Sequence, residues 1–173
     1  MTNLYEVDVL ELFIFYPMKQ FGVRELGRLV RMNTKTVMKY LKDLVKRKII
    51  VRVKKPHSFV IYEANRLSKT YRLIKSTLLI NKIAETGLID FLEKELSTKA
   101  IVLFGSVQKG IYTKDSDIDL FVLGKEKEIN LNSFEKKIKH KVQLIFSEDL
   151  QKLSDGLKNN IINGYTISGG LEI

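Results

Sequence analysis

Two aspartates one residue apart, Asp117 and Asp119, sit in an otherwise apolar run that ends at Leu123. A strand places residues i and i+2 on one face, so the two carboxylates project together while Ile118 and Leu120 point the other way, toward a core. Two carboxylates held that close repel each other and are tolerated chiefly where a cation sits between them. Oxygen-only ligands favour a hard ion such as Mg²⁺, which keeps several waters and also binds substrate phosphates. Upstream, the apolar run Ala100 to Phe104 leads into Gly105-Ser106. Glycine lets a backbone approach a ligand closely, and the Ser106 hydroxyl with neighbouring N–H groups can hold phosphate oxygens. The blander reading is a surface turn followed by a half-exposed strand with two solvated carboxylates. The poor strand propensity of Asp, twice on one face, argues against it.

Gly105-Ser106, ten residues, then Asp117-Ile118-Asp119, with Gly110 inside the interval and Ser116 before the first aspartate, form one pattern. It resembles the signature of the nucleotidyltransferase superfamily related to DNA polymerase β, in particular its minimal members. The resemblance spans most of residues 88–168. It implies Asp117 and Asp119 as catalytic residues and Mg²⁺ ligands, with Gly105 and Ser106 holding a triphosphate. Lys109 stands where relatives often carry an arginine and would assist a phosphate. The implied reaction moves a nucleoside monophosphate from an NTP, with ATP the expected one, to a hydroxyl. Some minimal members are antitoxins that nucleotidylate a partner toxin, so a protein hydroxyl is one implied acceptor beside a small molecule or an RNA end.

One position departs from the pattern. Relatives usually carry a third carboxylate on a later strand, and the matching strand here, Lys141 to Phe146, has Gln143 in its place. An amide oxygen can ligate Mg²⁺ but brings no charge and cannot act as a base. In a two-metal site one ion assists the attacking oxygen and the other holds the triphosphate and leaving group. By family analogy the third carboxylate mostly serves the first ion, so its loss weakens catalysis more than nucleotide binding. Glu148 and Asp149, just past the strand, are the nearby acids that could replace it.

The elements that must position these residues follow from patterning. The 173-residue chain, 45% hydrophobic, has the composition of a globular protein of one or two domains. No apolar run approaches the roughly 20 residues needed to span a bilayer. The start Met-Thr-Asn-Leu-Tyr-Glu-Val-Asp lacks a secretory pattern, and with no cysteine, disulfides and thiolate metal sites are excluded. A cytoplasmic protein with no membrane partner is the simplest expectation. The net charge of +10 is lopsided: residues 1–66 carry 14 Lys/Arg against 6 Asp/Glu, whereas the remainder is nearly balanced. Such an excess points to an acidic partner such as nucleic acid.

In that basic segment, helical spacing predicts Leu4 to Tyr16, with a stripe of Leu4, Val7, Leu10 or Glu11, and Ile14, stopped by Pro17. A second helix, Val23 to Arg31, would bury Leu26, Leu29 and Val30. Asn33 makes a good N-cap for a third, Thr34 to Lys48, burying Val37, Leu41, Leu44 and Val45. Strand-like runs Ile49–Val53 and Phe59–Glu63 follow, joined by Lys54-Lys55-Pro56-His57-Ser58. Three helices and a hairpin resemble a winged helix-turn-helix over residues 4–64. That resemblance implies double-stranded DNA as a partner, with the third helix in the major groove and the wing on the backbone. Lys35, Thr36 and Lys39 would then face bases or phosphates, and Arg52, Lys54 and Lys55 phosphates. For any single lysine a solvated helix face is the simpler reading; the cluster carries the inference.

Asn65 to Ala84 reads as one long helix with Leu67, Tyr71, Ile74, Leu78 and Leu79 at helical spacing, and Leu88 to Leu96 as another. The expected class is α+β: residues 1–65 a winged helix-turn-helix, 66–87 a connecting helix, and 88–173 a small mixed-sheet nucleotidyltransferase domain with flanking helices. A homodimer reading two half-sites suits the apolar connector. Against the enzyme stands a regulator whose incomplete transferase domain senses a nucleotide or a partner.

Overall fold

The computed structural model describes residues 4–54 and 59–171. The chain divides into two compact units, Met1–Lys75 and Ser76–Ile173. Among the described residues no helix is long and apolar enough to cross a membrane.

The first unit contains α1 (Leu4–Phe15), β1 (Phe21–Gly22), α2 (Val23–Leu29), α3 (Thr34–Lys46), β2 (Ile50–Lys54) and β3 (Val60–Ala64). Its strands form an antiparallel sheet in the order β1-β3-β2. The Asn33 side chain accepts the Thr36 N–H at 2.9 Å and so caps α3, whose Val37, Leu41 and Leu44 are fully buried. α1 buries Val9, Leu10, Phe13 and Ile14, so its stripe runs through Val9 and Phe13 as well as the expected Leu10 and Ile14. Phe13 meets Phe21 edge-on with ring centroids 5.2 Å apart. Phe21 also pairs with Tyr62 and forms the two-residue β1. Leu29 was expected inside and is exposed, because α2 stops there and turns its Leu26-Gly27 face inward. Lys55 and His57 lie outside the described residues.

Helix α4 (Lys69–Glu85) begins later than the expected Asn65, leaving Leu67 exposed. Its buried positions are Tyr71, Lys75, Ser76, Leu79 and Ile83, and Lys75 stands where Ile74 was expected. The Tyr71 hydroxyl donates to the Phe13 carbonyl at 3.0 Å, and burial pushes its pKa up to about 12. Burial first, and then the charge of Arg66, pulls the Lys75 amine down to about 8.

The second unit continues with α5 (Leu88–Glu95), β4 (Thr98–Phe104), α6 (Gly105–Gln108), β5 (Ile118–Gly124), α7 (Asn132–Ile138) and β6 (Val142–Ser147). A 3₁₀ turn at Leu150–Lys152, then α8 (Asp155–Ile162) and β7 (Tyr165–Gly169), complete it. The sheet order is β6-β5-β4-β7, with β5 and β6 parallel and the other pairs antiparallel. β4 and β5 are covered on both faces, which is why they read as near-continuous apolar runs. On one face Ile101, Leu103, Ile118, Leu120 and Val122 pack with Leu79, Ile83, Leu88 and Leu92. On the other, Ala100, Val102, Phe104, Phe121 and Leu123 pack with Leu150 and Ile161. Each fully buried aliphatic side chain contributes roughly 1.5–3 kcal/mol. The 3₁₀ turn separates β6 from α8, and Tyr165–Gly169 pairs with β4 as an edge strand. Gly164 permits that return, since a Cβ there would lie 2.7 Å from the Leu103 carbonyl oxygen.

Candidate active site

β4 ends at Phe104, opposite Asp119 in β5, so the Gly-Ser segment leaves the sheet directly beside the second aspartate. Gly105 has φ +75, a conformation that favours glycine. A Cβ at Gly105 would overlap Asp119 Oδ2 and come within 3.0 Å of its Cγ. Only glycine therefore lets the chain turn against that carboxylate. The turn opens α6, a single helical turn where a plain loop was expected, and Val107 plugs it into the core at 0% exposure. Ser106 is half-buried one residue on, and its carbonyl accepts the Ile111 N–H at 3.0 Å.

Asp117 precedes β5 by one residue, whereas the strand was expected to include it. Its flanking backbone is held on both sides. The Ser116 carbonyl accepts from His140 Nδ1 at 2.8 Å, and the Ile118 N–H donates to the Lys141 carbonyl at 2.8 Å. Asp117 is exposed and Asp119 half-buried. Burial first, and then the charge of Asp117, holds the Asp119 carboxyl above the usual carboxylate range. Neither side chain has a hydrogen bond or ion pair to another described residue.

Gln143 is the register partner of Asp119 in the parallel β5–β6 pair, so the two side chains share a face on adjacent strands. The strands stand roughly 4.8 Å apart. The amide therefore occupies the place beside the aspartates where the family pattern has a carboxylate. Glu148 and Asp149 do not replace it. Glu148 lines a hollow of about 630 Å³ with Gly124 and Lys125 at the other end of β5, roughly 16 Å along the strand from Asp119. Asp149 caps the 3₁₀ turn, accepting the Gln151 N–H at 2.8 Å. Among the described residues, no group of three or more His, Cys, Asp or Glu that could hold a metal is present. Two carboxylates, with amide and hydroxyl oxygens beside them, make an all-oxygen donor set.

Lys109 follows α6 and donates through Nζ to Asn160 Oδ1 of α8 at 3.3 Å, while Gln108 donates to the Asn163 carbonyl at 3.1 Å. Helix α8 thus braces the Gly-Ser segment, a role nothing in the sequence of α8 announces. In the first unit, Lys35 and Lys39 are exposed on one face of α3 with Thr36 half-buried between them, and Arg52 and Lys54 are exposed on β2. Those four cations have no carboxylate partner among the described residues.

No curated protein and no solved structure matches the chain. Residues 86–167, a span that holds Gly105, Ser106, Asp117, Asp119 and Gln143, match the family model described as a nucleotidyltransferase domain, and the second unit is therefore similar to such domains.

Proposed function

We propose that the second unit transfers a nucleoside monophosphate from an NTP, ATP being the favoured donor, to a hydroxyl acceptor, with Mg²⁺ held by Asp117 and Asp119. The observation that supports this reading is the seating of Gly105 against the Asp119 carboxylate, which brings the Gly-Ser turn to the strand end where Asp119 stands with no ion-pair partner among the described residues. Burial first, and then the neighbouring charge of Asp117, disfavours the Asp119 carboxylate, and an oxygen-ligated cation would offset both. Ser106 and the α6 backbone would hold the triphosphate, and Lys109, released from Asn160 or sharing it, would neutralise a phosphate oxygen. When bound, Mg²⁺ supplies positive charge to the phosphates and to the attacking and leaving oxygens. Gln143 can orient a water or a hydroxyl but cannot take its proton. A hydroxyl on a partner protein is the acceptor we favour.

The first unit, on this reading, is a winged helix-turn-helix that places α3 in the major groove of duplex DNA and the β2–β3 hairpin along its backbone. The unpaired Lys35, Lys39, Arg52 and Lys54 support it. Duplex affinity should fall steeply between low and physiological salt, and Lys35→Ala/Lys39→Ala should flatten that slope by about two charges.

Incubation with Mg²⁺, α-labelled NTPs and cell extract tests the transferase reading. Label should reach an acceptor with wild type, and Asp117→Asn should lower transfer at least about 10²-fold; equal labelling by the two would remove the site. A second reading, a DNA-binding regulator that senses nucleotide without transferring it, is favoured by the amide in register with Asp119. Gln143→Asp separates the two, because restored charge should raise transfer if catalysis is what the amide limits. No rise over a silent wild type that still binds Mg·ATP would favour the sensor.

A further inference from the structure

Asp117 lies outside the sheet ladder, at the end of the nine-residue stretch from Lys109 to Asp117 that joins α6 to β5. A metal-binding or catalytic carboxylate there needs its backbone fixed by something other than strand pairing. The stretch is tied internally by the Ser116 hydroxyl, which accepts the Thr113 N–H at 2.9 Å. At its Asp117 end it is anchored to the turn between α7 and β6, residues 139–141. Two bonds from that turn bracket Asp117: His140 Nδ1 to the Ser116 carbonyl, and the Lys141 carbonyl to the Ile118 N–H, each 2.8 Å.

A carbonyl oxygen can only accept, so Nδ1 of His140 carries the hydrogen, and the tautomer is fixed by this contact. The ring is oriented from a second side by Tyr112, which meets it edge-on at 5.7 Å and 85°. The turn itself is rigidly made. Lys139 adopts φ +66, Lys82 Nζ donates to the Ile138 carbonyl at 2.9 Å, and Glu135 accepts both the Val142 N–H and the Lys141 ammonium at 2.9 Å. The same Val142 starts the strand that puts Gln143 beside Asp119.

We infer that His140 is a positioning residue for Asp117: its Nδ1–H holds the Ser116 carbonyl so that the first carboxylate faces the second. The role it would serve rests on the nucleotidyl-transfer reading above, but the geometry it maintains does not. His140→Ala deletes the donor, whereas His140→Asn places an amide N–H where Nδ1 stood. Hydrogen exchange of the full chain, read at the Ile118 amide that donates to the Lys141 carbonyl, tests the geometry. Exchange there should quicken about tenfold in His140→Ala and return toward wild type in His140→Asn, with the β4 amides unchanged as the check that the unit is folded. Unchanged exchange in His140→Ala, or equal quickening in both variants, overturns the inference. Label transfer on the same proteins tests the role. His140→Ala should lower kcat about tenfold with the KM for NTP within about threefold, and His140→Asn should recover most of it. Full activity in a His140→Ala protein whose Ile118 amide exchanges faster would overturn the role. If wild type transfers no label, the transferase reading fails, and exchange alone decides whether His140 holds the Asp117 backbone.

Discussion

Gly105 and Asp119 share one space: the position a side chain would take on Gly105 is filled by the Asp119 carboxylate. The contact is made by neighbouring strands, because Phe104 and Asp119 are register partners across β4 and β5. The glycine, at φ +75, gives the turn its shape and its clearance at once.

Gly105→Ala should therefore be costly twice. The positive φ alone is worth about 1–3 kcal/mol of strain, and the methyl must displace the carboxylate. Thermal unfolding should move down by several degrees, and nucleotidyl transfer should fall at least about 10²-fold, since sub-ångström placement of reacting groups controls the rate. A Gly105→Ala protein with wild-type melting and activity would show that the turn is looser than described.

Asp119 makes a prediction whose sign is fixed by linkage. Its carboxyl titrates above the ordinary range in the folded state, because burial and then Asp117 disfavour the charge. Between the unfolded and folded pKa the native state holds the extra proton, so stability falls as pH rises through that window and the penalty persists above it. Asp119→Asn should accordingly raise the melting temperature of metal-free protein at pH 7 while leaving it unchanged near pH 3. Mg²⁺ should raise the wild-type melting temperature and not that of the variant. Scanning calorimetry at the two pH values reads both effects.

The buried Lys75 amine, drawn down to about 8, has the opposite sign in a different window. Between pH 8 and the ordinary lysine value of 10.5 the unfolded state binds the proton and the folded state does not, so stability rises with pH. The limiting slope is about 1.4 kcal/mol per pH unit. Tyr71, raised to about 12, pulls the other way only above pH 10. Urea titrations from pH 8 to 10 should show the rise in wild type and its loss in Lys75→Met.

Part of the candidate site was legible from local rules: Gly105 falls at a strand end where the backbone closes on another group, and Gln143 lies on the next strand in register with Asp119. The i, i+2 spacing set Asp117 inside the strand with Asp119, whereas Asp117 precedes β5. What stayed hidden depends on partners distant in sequence. Tyr165-Thr166-Ile167 looks like the end of a turn until Gly164 allows it to close on β4. Lys75 gives no sign of burial, since its neighbour Ile74 fits an apolar stripe better. Leu29 falls on a plausible stripe, and only the early end of α2 exposes it. The distance that separates Glu148 and Asp149 from the aspartates follows from the direction of β6, which residue order near a strand end does not reveal.

The central claim is that Gly105, Ser106, Asp117 and Asp119 form one nucleotide–Mg²⁺ site, and calorimetric titration of ATP tests it most directly. With Mg²⁺ present, wild type should bind one ATP per chain, and affinity should drop at least about tenfold when the ion is chelated or when Asp117→Asn or Asp119→Asn is introduced. ATP binding that is indifferent to Mg²⁺ and to both substitutions, or no binding by wild type at all, would contradict the account.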